Sequence, residues 1–179
     1  FGVVPDMMTM AKGLTSGYMP MSAVMVGDRV ANRLIADCGE FYHGFTYSGH
    51  PVSAAVALAN LDIIERENLV ERVRVDTGPY FAAALACLAD HRLVGEVRSF
   101  GLLAAIELVK SKDGPVMFED TGTVGSMCRD HAIVGGLMMR AVRDAMILSP
   151  ALTYSHQDID ETVRIARAAL DATAADLGL

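Results

Sequence analysis

Residues 5–20 read PDMMTMAKGLTSGYMP, and Lys12 stands where an apolar run meets a glycine-rich stretch. The apolar residues 7–11 predict a short buried strand that ends at Lys12. Burial of an ammonium group among apolar neighbours favours the neutral amine, which is a nucleophile toward carbonyl groups. Taken alone, however, the segment favours a simpler interpretation, a lysine at a strand end that extends its charge into water.

The composition indicates a globular chain without a nucleic-acid or membrane surface. The 179 residues are 52% hydrophobic and 21% charged, which predicts one domain, or one and a fraction, with a sizeable core. The net charge of −7 and the lack of a basic run argue against nucleic-acid and polybasic membrane partners. The widely spaced Cys38, Cys87 and Cys128 form neither a disulfide framework nor a zinc pattern. We therefore expect a reducing compartment, the cytoplasm.

Hydrophobic patterning predicts an α/β chain with a boundary near residue 75. Strands are predicted at 7–11, at 22–26 (buried on both faces), at 94–100 and 102–109 around Gly101, at 137–140 and at 146–149. Helices are predicted at 29–36, 52–68 after Pro51, 70–90 with an interruption at Gly78-Pro79, 121–132 and 157–175 after Ser155. Residues 39–50 should form a loop.

A second chemically suggestive segment is residues 43–51, HGFTYSGHP. It places three hydroxyl groups between glycines, directly before a predicted helix. Backbone N–H groups and hydroxyls at such a position can hold a phosphate. The segment fits neither the Walker pattern nor the dinucleotide-binding pattern, so an ordinary hydroxyl-rich turn is the favoured alternative when it is taken alone.

The third candidate is Arg140, which ends the apolar run GLMMR at residues 136–140. A guanidinium offers a rigid fork for a carboxylate. An arginine that reaches solvent from a strand end is the alternative, and Arg143 competes for the role if the strand runs differently.

Together, residues 5–20, 43–51 and 137–150 resemble three segments of the class III aminotransferases, in family order and at about family spacing. These are pyridoxal-phosphate enzymes with the aspartate aminotransferase fold (fold type I). The resemblance implies that residues 1–75 are the C-terminal portion of the large, mostly parallel-sheet cofactor-binding domain. Residues 76–179 would be the small C-terminal α+β domain.

The resemblance also implies roles for individual residues. Lys12 would form the internal aldimine with pyridoxal 5′-phosphate and then move a proton between the substrate Cα and the cofactor. Thr46 would bind the cofactor phosphate in the neighbouring subunit's site, which implies a homodimer or higher assembly with shared active sites. Phe45 would place its backbone N–H near that phosphate, Arg140 would pair with a substrate carboxylate, and Tyr18 would line the substrate site.

Residues 13–22 resemble the ω-amino acid:pyruvate branch of the family. The expected reaction is the transfer of an amino group from an ω-amino acid or amine donor to pyruvate, without a metal. Alternatives are another pyridoxal-phosphate enzyme of the same fold, such as an aminomutase or decarboxylase, and a non-catalytic remnant that keeps the dimerisation surfaces. A lysine-dependent aldolase would explain Lys12 but not the other two segments.

The first residues, FGVVPD, lack an initiator methionine and read as the middle of a domain. We expect the chain to be the C-terminal part of something larger. The family's pyridine-nitrogen aspartate, its ring-stacking aromatic residue and its glycine/serine phosphate turn would lie upstream. Asp6 is too close in sequence to Lys12 to be that aspartate.

Overall fold

The chain folds into two compact units, Phe1–Glu67 and Asn68–Leu179. The computed structural model describes residues 2–114 and 116–179, and for Cys38 it describes the backbone only. Among these residues, no helix is both long enough and apolar enough to cross a bilayer.

The first unit contains an antiparallel ribbon and two helices. The ribbon pairs β1 (Met7–Met10) with β2 (Ala23–Val26), from Met7 opposite Val26 to Met10 opposite Ala23. A 3₁₀ turn, Lys12–Leu14, follows β1 directly. The helices are α1 (Asp28–Cys38) and α2 (Pro51–Arg66). Pro51 occupies the first turn of α2, where its missing N–H costs nothing, and His50 Nδ1 caps the helix by accepting the Ser53 N–H.

The sequence predicted that β2 would be buried on both faces, within the end of a mostly parallel sheet. The ribbon is instead antiparallel, and Met7 and Val24 are 60% and 58% exposed. Parallel strands need a crossover connection, usually through a helix, whereas the link between β1 and β2 contains only the 3₁₀ turn. An apolar run indicates that a strand tends to be buried. In this ribbon, however, the described residues leave both faces largely exposed.

The second unit packs helices on a four-stranded antiparallel sheet. Its strands are β3 (Val94–Phe100), β4 (Leu103–Leu108), β5 (Arg140–Val142) and β6 (Ala145–Leu148), in the order β3-β4-β6-β5. Its helices are α3 (Leu69–Arg72), α4 (Gly78–Ala86), α5 (Thr123–Val134) and α6 (His156–Asp176). Phe81, Leu85, Ile106 and Met146 are among its fully buried side chains. The core therefore lies between the sheet and α4, α5 and α6.

The predicted helix over residues 70–90 is present but interrupted, as the Gly78-Pro79 pair indicated. A π-helical turn, Val73–Thr77, joins α3 to α4. Proline lacks an N–H and clashes with the carbonyl four residues earlier, and a widened turn accommodates both effects. The predicted boundary after residue 75 falls inside this turn. Leu69 is buried and Val73 packs on the core of the second unit, so that unit already begins at Asn68.

The predicted strand at residues 137–140 is wrong in position along the chain. The strand is β5, which begins at Arg140 and pairs Arg140 with Ile147 and Val142 with Ala145. A two-residue turn, Arg143-Asp144, closes the hairpin and fixes this pairing, whereas Leu137 and Met139 enter the core without joining the ladder. Arg140 therefore starts a strand at the sheet edge instead of ending one.

Candidate functional site

An open cavity of about 970 Å³ lies in the first unit beside the Lys12 turn. Lys12 and the residues after it form one wall, and the loop before α2, together with the first turn of α2, forms the other. The lining residues are Ala11, Lys12, Thr15, Gly17, Met19, Pro20, Met21, Ser22, Phe45, Tyr47, Ser48, Gly49, His50, Ser53 and Ala54. The structure thus brings together two of the three segments that sequence analysis singled out.

Lys12 has an unusual backbone for a lysine, with a φ of 50°. The left-handed region costs a residue with a Cβ atom about 1–2 kcal/mol, and such strain concentrates at functional sites. The side chain is exposed and has no hydrogen-bond or ion-pair partner among the described residues. The expected apolar enclosure of the ammonium group is therefore not built by these residues, although Met19, Pro20 and Met21 line the same cavity.

The turn that follows Lys12 is held by side chains from two directions. Thr15 is buried, and its hydroxyl donates to the Met19 carbonyl at 2.6 Å. From α2, Asn60 Nδ2 donates to the carbonyls of Gly13 at 2.9 Å and Leu14 at 3.2 Å, and Asn60 Oδ1 accepts the Ser16 hydroxyl at 2.6 Å. Sequence analysis missed Asn60. The sequence did contain a signal, because asparagine is a poor helix former and is unusual within the apolar stretch of α2 unless its side chain makes specific hydrogen bonds.

The loop before α2 is a closed turn in this structure. The Phe45 N–H donates to Ser48 Oγ at 2.9 Å, and the Ser48 N–H donates to the Phe45 carbonyl, also at 2.9 Å. The N–H that the resemblance assigned to the cofactor phosphate is therefore engaged within the loop. Thr46 is exposed, its hydroxyl bonds none of the described residues, and it is not among the residues that line the cavity.

Tyr18 also stands outside the cavity lining, with 83% of its surface exposed. Its role in substrate binding, like those of Phe45 and Thr46 in phosphate binding, stays a prediction.

Arg140 lies in the second unit at the first position of the edge strand β5. Within residues 2–114 and 116–179, most cationic side chains hold a carboxylate or a backbone carbonyl. The exceptions, which have no such partner, are Lys12, Arg92, Arg140 and Arg143. Both cations that sequence analysis assigned to the chemistry are therefore free to meet a ligand. The competing candidate, Arg143, occupies the hairpin turn with a φ of 54°.

The hairpin that carries Arg140 is anchored by a buried carboxylate, which sequence analysis also missed. Asp144 is 2% exposed. Its Oδ2 accepts the Gly122 N–H at 2.9 Å, and its Oδ1 accepts the Gly125 N–H at 2.8 Å. Both donors belong to the N-terminal end of α5, where a negative charge is stabilised by unpaired amides and by the helix dipole. The β5–β6 turn is thereby fixed to α5.

Among the described residues, no carboxylate lines the cavity. Asp6 binds Arg29 through both oxygens, at 2.8 and 2.5 Å, and the Arg29 guanidinium holds the pKa of the Asp6 carboxyl below its usual range. The described part of the chain also contains no cluster of histidine, cysteine and acidic residues that could hold a metal.

Comparison with known proteins extends the resemblance over nearly the whole chain. The sequence pattern of the family described as aminotransferase class-III matches residues 1–170. A putrescine–pyruvate aminotransferase of Pseudomonas aeruginosa is 52% identical over 175 residues, which are 98% of this chain and 38% of the relative. A diaminobutyrate–2-oxoglutarate transaminase of Halomonas elongata is 41% identical over 169 residues, which are 91% of this chain and 36% of the relative.

Solved structures agree in fold. A thermostable ω-transaminase variant from Pseudomonas jessenii superposes with a TM-score of 0.91 at 39% identity, covering all of this chain and 40% of the solved one. The chain thus spans about two fifths of the length of the proteins it matches. It corresponds to an α/β portion of a fold whose family uses pyridoxal phosphate. By this match over residues 1–170, the chain belongs to the class III aminotransferases.

Proposed function

We propose that this chain takes part in the pyridoxal-phosphate-dependent transfer of an amino group from an ω-amino acid or amine donor to pyruvate. The observation that carries the proposal is Lys12, which has a left-handed φ, lies on the wall of an open cavity and has no partner among the described residues. The relative at 52% identity is named for putrescine and pyruvate, which supports this donor and acceptor class.

The residues present fit two ends of the cofactor. The Lys12 amine has no competing partner in the part of the chain that the structure describes, and it could hold the aldehyde carbon. The hydroxyl of Thr46, which precedes the N-terminal end of the 16-residue helix α2, is a donor of the kind that binds phosphate. When bound, the cofactor supplies an electron sink for the carbanion at the substrate Cα. No residue that lines the cavity could meet the ring nitrogen with a carboxylate.

Proton transfer at the substrate Cα would belong to Lys12. Its Nζ, once free, would accept the Cα proton as a general base, because the lining residues include no carboxylate that could take that proton instead. His50 also lines the cavity, but its Nδ1 already accepts the Ser53 N–H at the start of α2. The fixed turn after Lys12 would hold the amine in place between its two tasks.

Reduction with borohydride after incubation with pyridoxal phosphate tests the proposal directly. Peptide mass mapping should place one pyridoxyl group on Lys12 Nζ. Lys110 and Lys112 serve as internal controls, since they hold Glu119 and the Ala89 carbonyl outside this cavity. Equal labelling of all three lysines, or no labelling, would contradict the assignment of Lys12.

Arg140 is proposed as the group that pairs with a substrate carboxylate. Arg140→Ala should weaken the half-reaction of carboxylate-bearing donors about 10- to 100-fold in kcat/KM, because a charge-assisted fork is lost, and should spare simple amines. Single-turnover kinetics with each donor class measure the difference. Arg143→Ala is the matched control. A selective loss in that variant would move the role to Arg143, and equal losses for both donor classes would remove Arg140 from it.

We also propose a homodimer or higher assembly with shared active sites. Thr46 does not line its own chain's cavity, and most of the surface of Phe41, Tyr42, Phe45 and Tyr47 in the same loop is exposed. Exposed apolar surface of this kind is typical of a protein–protein interface, which supports the proposed assembly. Light scattering of the holoenzyme should give at least twice the protomer mass, and a monomer with full activity would contradict the proposal.

A further inference from the structure

The amide of Asn60 makes all its observed hydrogen bonds with the turn that follows Lys12. Its donors meet the carbonyls of Gly13 and Leu14, and its acceptor meets the hydroxyl of Ser16. These partners are 44 to 47 residues away along the chain. Asn60 is half-buried and lies on the same stripe of α2 as the buried Ser53 and Ala57. The stripe thus directs the Asn60 amide at the turn that follows Lys12.

The turn that follows Lys12 needs to be stabilised by contacts from outside it. Lys12 and Ser16, near its two ends, have φ values of 50° and 49°, a region that residues with a Cβ atom rarely adopt. Its own backbone bonds are long, at 3.2 Å from the Thr15 N–H to the Lys12 carbonyl and 3.3 Å from the Ser16 N–H to the Gly13 carbonyl. Strained backbone persists only where its surroundings over-determine it. Asn60 bridges the segment between the two strained residues.

We propose that Asn60 is a positioning residue that holds the backbone of Lys12 in its left-handed conformation and thereby fixes where the lysine amine enters the cavity. The inference rests on the proposed role of Lys12. The residues that Asn60 hydrogen-bonds, Gly13, Leu14 and Ser16, are not among those that line the cavity, so its effect on the amine is indirect. The chemistry needs the amine at one place, because a displacement of about 1 Å can cost about a hundredfold in rate.

A purely structural role for Asn60 predicts a different outcome. Asparagine is a weaker helix former than leucine, and a leucine at a half-buried position of an amphipathic stripe would favour α2. If Asn60 served only to pack α2, Asn60→Leu would leave the turn and the amine unaffected. If Asn60 holds the turn, the same variant would keep a folded α2 but release the segment at residues 13–16. Stability of the helix and order of the turn therefore separate the two roles.

A graded set of variants removes one, two or all three of the bonds. Ser16→Ala removes one bond and keeps the Cβ atom, Asn60→Asp keeps the acceptor but loses the donors to two carbonyls, and Asn60→Leu removes all three bonds. Asp62→Asn is the matched control, because Asp62 is an exposed α2 residue that pairs with Arg66 at 2.7 Å and does not touch the turn. Such exposed pairs contribute little to stability.

Three readouts are taken on the holoenzyme. The first is amide hydrogen exchange of a peptide that covers residues 11–20, compared with one that covers α2. The second is the rate at which borohydride fixes a pyridoxyl group on Lys12. The third is the split between kcat and the KM for an amine donor. The first readout does not depend on catalysis, so it reports on the tie even if Lys12 is not the reactive lysine.

We expect exchange in residues 13–16 to accelerate in the order Ser16→Ala, Asn60→Asp, Asn60→Leu, by about tenfold at the end of the series, while α2 and Asp62→Asn stay unchanged. Labelling of Lys12 and kcat should fall in the same order, by about 10- to 100-fold for Asn60→Leu, with the KM for the amine nearly constant. Unchanged exchange in Asn60→Leu overturns the proposal. So does faster exchange with undiminished labelling of Lys12. If Lys12→Ala keeps full activity, the proposed function fails instead, and the exchange data still decide whether Asn60 orders the turn.

Discussion

Lys12→Ala is expected to lower transamination by about a thousandfold or more, because it removes both the group that would hold the cofactor aldehyde and the base for the Cα proton. Lys12 is the one lysine among the residues that line the cavity, so none of the other lining side chains could replace its amine. Conversion of pyruvate to alanine with an amine donor, followed to many turnovers, measures the effect. Cofactor affinity, measured in parallel by equilibrium dialysis, should fall less than the rate.

Lys110→Ala and Lys112→Ala provide matched controls for this loss. Both residues are exposed lysines whose ammonium groups hold Glu119 and the Ala89 carbonyl. Each control should keep near-normal turnover. A Lys12→Ala enzyme that turned over normally would show that the resemblance of residues 5–20 to the family's lysine segment does not extend to its chemistry.

Gly125→Ala is expected to destabilise the second unit by about 3 kcal/mol or more. A Cβ atom at Gly125 would stand 2.1 Å from the Arg143 carbonyl oxygen and 3.0 Å from the Asp144 Cα, which are backbone atoms that cannot turn aside. Relief of the clash would push the hairpin turn away from α5. That movement would break the bonds that Asp144 makes to the Gly122 and Gly125 amides and leave a buried carboxylate poorly paired.

Urea denaturation of the full chain, followed by circular dichroism, measures this cost. Ser126→Ala is the matched control, since it changes the neighbouring residue of the same helix without placing an atom against the turn. Its free energy of unfolding should stay within about 0.5 kcal/mol of the parent. If Gly125→Ala were equally harmless, the Arg143-Asp144 turn would not be locked on α5, and Arg140 would owe its position to the strand pairing alone.

The sequence predicted local features of the fold well wherever the deciding signal is local. Gly101 between two apolar runs indicated the β3–β4 hairpin, and Gly78-Pro79 indicated the interruption of the long helix. Ser155 was predicted to cap the last helix, and it does so in a reciprocal capping box with Asp158. Each of these signals lies within a few residues of the structure that it controls.

The features that were wrong or missed depend on partners far along the chain. The register of β5 is set by a turn that follows it, so an apolar run before Arg140 was taken for the strand. Asn60 and Asp144 looked unremarkable because their hydrogen-bond partners lie about 45 and 20 residues away. The exposure of Lys12 agrees with the simpler alternative that its segment favoured, and not with the apolar enclosure, since periodicity shows which side chains should be covered but not what covers them.

The division of the chain into two units has a consequence for how the proposed substrate recognition can be changed. The observed ties to the Lys12 turn come from the first unit, and those that fix the strand of Arg140 come from the second. Under the proposed role of Arg140, substitutions in the β5–β6 hairpin would change recognition of the substrate carboxylate and would leave the observed ties to the Lys12 turn in place. A library of variants for new donors is therefore best confined to this hairpin. Positions 122, 125 and 144, which fix the hairpin to α5, and the turn after Lys12 should be kept unchanged.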